Sequence, residues 1–135
     1  MPNELFLKIG AAFHLICALF HIAFPKMFNW NDHLSELSAE KSAIFKLNLH
    51  IMNICLILFW LVFAILPFFF SSELLETPIG NTILFLIIAF WIIRIFIIQP
   101  IFVGVKTKES WRMILFFLIG FVLFIIPGVG VLLPD

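Results

Sequence analysis

The sequence predicts an all-α, polytopic integral membrane protein: an antiparallel bundle of four transmembrane helices, with a short amphipathic segment in the interface between the first two. Three observations carry this. Of 135 residues, 64% are hydrophobic and 12% charged, against about 45–50% and about a quarter in a soluble domain. A core of this size cannot bury so much apolar surface, so lipid must solvate the rest. Nineteen Phe and no Tyr agree, because Phe carries no polar group to satisfy in hydrocarbon. Finally, residues 5–24, 44–70, 80–101 and 111–132 are continuous apolar runs of about the 20 residues needed to cross a bilayer. Barrel strands would alternate over about 10 residues. The four runs form a single membrane domain over residues 1–135.

The first run resembles a secretory signal, but it contains His14 and His21 and lacks a small-residue cleavage site, so it reads as a retained helix. Pro25 is expected to follow that helix. The loop over residues 25–41 interleaves Met27, Phe28, Trp30, Leu34 and Leu37 with polar residues, which suits a short interfacial helix with Trp30 at headgroup depth. Ser38 is a candidate N-cap for the second helix. Pro78 and Gly80 precede the third helix, Pro100 closes it, and Pro127 with Gly128 and Gly130 loosens the end of the fourth. The connections over 71–79 and 102–110 are short, which makes neighbouring helices antiparallel.

Six basic residues (Lys26, Lys41, Lys46, Lys106, Lys108 and Arg112) flank the first and third connections, and only Lys8 lies at the opposite side. The positive-inside rule then puts those two connections in the cytoplasm and both termini outside. A net charge of zero and the lack of an aqueous basic face argue against a nucleic-acid partner. Cys17 and Cys55 fall within helices without a C-x-x-C motif, and read as free thiols behaving as small hydrophobes.

Intramembrane polar residues are costly and therefore mark candidate sites. Gly10, His14, Cys17 and His21 fall within an arc of roughly 60° on the first helix. His50, Asn53 and Trp60 share a face of the second. Arg94 approaches the same side on the third, with no intramembrane carboxylate to pair with, and Gln99 is expected on the opposite face of that helix. The outer half reads as plain hydrocarbon packing.

The candidate binding set is thus His14, His21, His50, Asn53 and Arg94, walled by Trp60 and Trp91, in the cytoplasmic half. It suits a small hydrophobic ligand such as a quinone or lipid. It also suits a single b-type haem held by His50 with His14 or His21, its propionates directed to Arg94 and Lys46. No metal is specified. The rival class is an accessory subunit whose polar stripe packs against a partner helix or a second copy of the chain, with Gly10, Cys17 and Ala18 permitting close approach. A small transporter or membrane enzyme comes third. Ser71 and Ser72 lie far from every His, and no G-x-S-x-G motif occurs, so covalent hydrolysis has no support.

Overall fold

A computed structural model describes residues 2–35, 39–103 and 107–133. The chain forms α1 (Pro2–Met27), α2 (Trp30–Ser35), α3 (Ala39–Phe69), α4 (Ser71–Glu76), α5 (Pro78–Ile93) and α6 (Lys108–Leu132), and α5 continues as a π-helical segment over Arg94–Val103. Four of these helices are long and apolar enough to span a membrane, and no strand occurs among the described residues. The protein is an all-α, multi-pass membrane bundle. Its wide outer surface of Leu, Ile and Phe, including Leu19, Leu58, Leu86 and Leu115, is left for lipid.

Helix starts follow cap chemistry. Thr77 Oγ1 accepts from the Gly80 N–H at 3.0 Å, with Pro78 at the first helical position. Thr107 Oγ1 does the same for the Ser110 N–H at 3.1 Å, so α6 begins three residues before the expected Trp111. Asn29 ends α1 in the left-handed region, at φ 44°. The chain then turns into α2, as the amphipathic pattern predicts. The Ser38 N-cap falls outside the described residues. Residues 71–79 are not a bare turn, since they contain α4.

Two expected proline breaks are corrected. Pro25 lies inside α1, and Pro100 lies inside the π segment. Each removes a backbone donor without ending its helix, which is tolerated in a membrane when another group bonds the freed carbonyl. The π segment also overturns the placement of Gln99. On a regular α-helix, residues 94 and 99 would lie about 140° apart. A helix closing at i+5 stacks them instead, and Arg94 Nη1 donates to Gln99 Oε1 at 3.1 Å.

The helices follow one another around the bundle as α3, α1, α6 and α5. Close approach is permitted by glycine at two places. A side chain at Gly10 would meet the Phe124 ring, and one at Gly120 would meet Trp91 and Phe13. The backbones of α3 and α5 scarcely approach. Phe59, Trp60 and Phe63 reach across to Phe90 and Trp91 and close that seam with aromatic rings.

Candidate functional site: an aromatic box and two proline-linked polar contacts

His14 sits midway along α1 and is fully buried. Its ring is stacked on Phe124 at 4.7 Å and 12°, and on Trp91 at 5.7 Å and 9°. Trp60 and Phe63 stand beside it at 5.3 and 5.5 Å. His14 Nδ1–H donates to the Phe63 carbonyl at 2.9 Å. That carbonyl lies four residues before Pro67, which is inside α3, so it is the one that proline deprives of its helical donor. The bond therefore joins α1 to α3 at the position where α3 cannot satisfy itself.

The same arrangement recurs with the helices exchanged. Pro25 of α1 frees the carbonyl of His21, four residues earlier, and Asn53 Nδ2 of α3 donates to it at 2.7 Å. Asn53 Oδ1 then accepts from the His21 ring Nδ1–H at 3.0 Å. Each helix thus uses a polar side chain to bond the carbonyl freed by the other's proline. Neutral imidazole carries one proton, and in both His residues these contacts hold it on Nδ1, leaving Nε2 as an acceptor.

Four buried nitrogen atoms have no hydrogen-bond partner among the described residues: His14 Nε2, Trp60 Nε1, Trp91 Nε1 and Gln99 Nε2. The first three belong to rings in mutual contact, since the Trp60 and Trp91 centroids lie 5.6 Å apart and both flank His14. Burying a donor or acceptor unpaired costs about 1–3 kcal/mol each. One unpaired acceptor and two unpaired donors are therefore carried by three rings in mutual contact.

The sequence-predicted residues are arranged along the bundle in neighbouring contacts. His14, Trp60 and Trp91 form the box at mid-helix. His21 and Asn53 pair one step nearer the basic end, with Trp60 touching both groups, 6.2 Å from the His21 ring. His50 packs edge-on against Trp30 of α2 at 5.6 Å. Arg94 lies 4.2 Å over the Phe117 ring. Gly10, His14, Cys17 and Ala18 are buried within the bundle, so the α1 stripe is already covered by this chain's own helices. The terminal end is not wholly apolar, because Ser72 Oγ donates to Glu4 Oε1 at 3.4 Å.

A bis-His haem needs two imidazoles facing across a flat slot. His14 is stacked on Phe124 and on Trp91, and His50 packs edge-on against Trp30. Among the described residues, no group of three or more His, Cys, Asp or Glu is placed to hold a metal ion. Phe63 and Phe124 were not singled out from sequence, and Gln99 was placed on the wrong face. Pro67 gave a usable signal for the first, because a proline within an apolar run implies a freed carbonyl four residues earlier. No protein-family profile matches the chain, and no curated protein or solved structure is detectably similar to it.

Proposed function

We propose that this chain is an intramembrane binding protein for a small apolar molecule carrying a hydroxyl group, of the quinol or phenol kind, held in the His14–Trp60–Trp91 box. One observation carries the reading: the lone pair of His14 Nε2 is buried without a donor, and the two indole rings that touch His14 each carry an N–H without an acceptor. A hydroxyl complements that set, donating its proton to Nε2 and accepting from an indole. Access runs between α3 and α5, where side chains alone close the seam and can move aside without separating packed backbones. The fixed Nδ1 tautomer makes the site selective, since a ligand offering only acceptors leaves Nε2 unpaired.

The test compares a short-chain quinol with its dimethyl ether, which keeps the shape and loses both donors. The quinol is expected to raise the thermal unfolding midpoint of the purified protein in a concentration-dependent way, as any ligand selective for the native state does. The ether is expected to do so far less. Trp60→Phe and Trp91→Phe keep an aromatic ring and delete one donor each, and each is expected to weaken the quinol response. Equal shifts with quinol and ether, or shifts untouched by both substitutions, would refute the site.

Orientation belongs to the same proposal. The basic residues at the α1–α3 and α5–α6 ends support both termini outside and those two connections in the cytoplasm. A reporter active only in the cytoplasm should be silent when fused after Asp135 and active when inserted in the α5–α6 connection. Activity at Asp135 would reverse the orientation.

A further inference from the structure

Arg94 and Gln99 make a second polar pair, on the π segment, with Phe117 lying against both Arg94 and Trp91. Arg94 is half-buried inside a candidate span, and Gln99 is fully buried. The guanidinium carries five N–H donors. One bonds Gln99 Oε1 at 3.1 Å, and its face rests on Phe117 at 4.2 Å. No ion pair to Arg94 occurs among the described residues, and acidic residues are absent from the sequence between Glu76 and Glu109. Gln99 turns its oxygen to Arg94, and covalent geometry then puts its Nε2 beside that oxygen, where it has no acceptor. The pair presents surplus donors and one positive charge, with no carboxylate paired to it among the described residues.

We propose that Arg94 and Gln99 form a binding site for the oxyanion head of an anionic lipid: a phosphate or a carboxylate accepting from the free guanidinium N–H groups and from Gln99 Nε2. The π register creates the site, because a regular helix would put residue 99 on another face. Arginine suits it better than lysine would, since two parallel N–H groups match two oxygens of one anion. Depth favours a lipid. The segment runs toward the end of the bundle where Lys26, Lys46, Lys108 and Arg112 are exposed, and such basic rims draw anionic headgroups to the surface.

The experiment is native mass spectrometry of the full chain released from phosphatidylcholine vesicles, alone or doped with phosphatidylglycerol or oleate. A parallel thermal-midpoint measurement in detergent uses inorganic phosphate. One phosphatidylglycerol or one oleate should be retained per chain, and which of them is retained identifies the head as phosphate or carboxylate. A response to inorganic phosphate alone, lost with Arg94, would assign the same donors to a free anion. Arg94→Gln is expected to abolish retention, and Arg94→Lys to weaken it about tenfold, the scale of one lost charge-assisted hydrogen bond.

Gln99→Glu guards against loss of folding as an explanation. It gives Arg94 an internal carboxylate, so retention should vanish while the unfolding midpoint holds or rises. Ser72→Ala, at the opposite end of the bundle, should leave retention unchanged. Retention at the phosphatidylcholine level in every arm would overturn the proposal. So would anion binding that persists in both Arg94→Gln and Gln99→Glu.

Discussion

His14→Ala is expected to lower the unfolding free energy by about 3–5 kcal/mol, the range for emptying a buried aromatic position. Several losses combine. The imidazole is fully buried and stacked on Phe124 and on Trp91, and such ring pairs contribute about 0.5–1.5 kcal/mol each beyond burial. Truncation also strips the Phe63 carbonyl of its only donor, because Pro67 supplies none. Hydrogen bonds between membrane helices average only about 0.6 kcal/mol in double-mutant cycles, with a maximum near 1.7. Packing therefore supplies most of the effect and the bond a minority. The matching variant His14→Leu, which refills the space but cannot donate, should cost roughly 1–2 kcal/mol on the same reasoning. Reversible unfolding of the purified protein in mixed micelles, followed by circular dichroism, measures both.

Asn53→Leu is the second large effect, at about 1–3 kcal/mol. Asn53 is buried, and its amide serves two atoms of one residue: the His21 carbonyl at 2.7 Å and the His21 ring nitrogen at 3.0 Å. Leucine matches its size and adds apolar surface, so the cost isolates the unpaired polar groups left behind. The carbonyl cannot recover a helical donor, because residue 25 is proline. Asn53→Asp should not rescue, since a carboxylate accepts from the His21 ring but cannot donate to the carbonyl. Asn53→Gln should rescue in part, because it keeps both functions at a longer reach. The same unfolding assay ranks the three variants. A wild-type midpoint for Asn53→Leu would show that the contact contributes nothing.

Four helices were legible because length and apolar composition in lipid decide them almost alone. Boundaries were less so. Thr107 could have been read as an N-cap three residues before Ser110, and it places the start of α6 correctly where the apolar run alone began at Trp111. The prolines misled because their usual meaning belongs to water. In a bundle, Pro25 and Pro100 sit within helices, and the useful question is which neighbour bonds the freed carbonyl. That question pairs Pro67 with His14 and Pro25 with Asn53, but only once α1 and α3 are known to be adjacent.

The candidate site was legible in part. Helical spacing correctly put His14 on the inner stripe of α1 and Asn53 and Trp60 on one face of α3. It did not show that His14 and Asn53 each spend a donor on a carbonyl of the neighbouring helix. Nor could it place Gln99, because 3.6-residue periodicity does not hold through a π segment. Phe124 was invisible as a partner of His14 among nineteen Phe, for the type is spread over all four spanning helices.

The central structural claim is that α1 and α3 are held together at the carbonyls their prolines leave free. A double-mutant cycle on Pro67 and His14 tests it most directly. Pro67→Ala restores an N–H that can bond the Phe63 carbonyl within α3, so the carbonyl no longer depends on His14. His14→Leu is therefore expected to cost about 1 kcal/mol less in the Pro67→Ala background than in the wild type, a coupling above the few tenths found for independent sites. Additive costs, with His14→Leu equally damaging whether residue 67 is proline or alanine, would contradict the account.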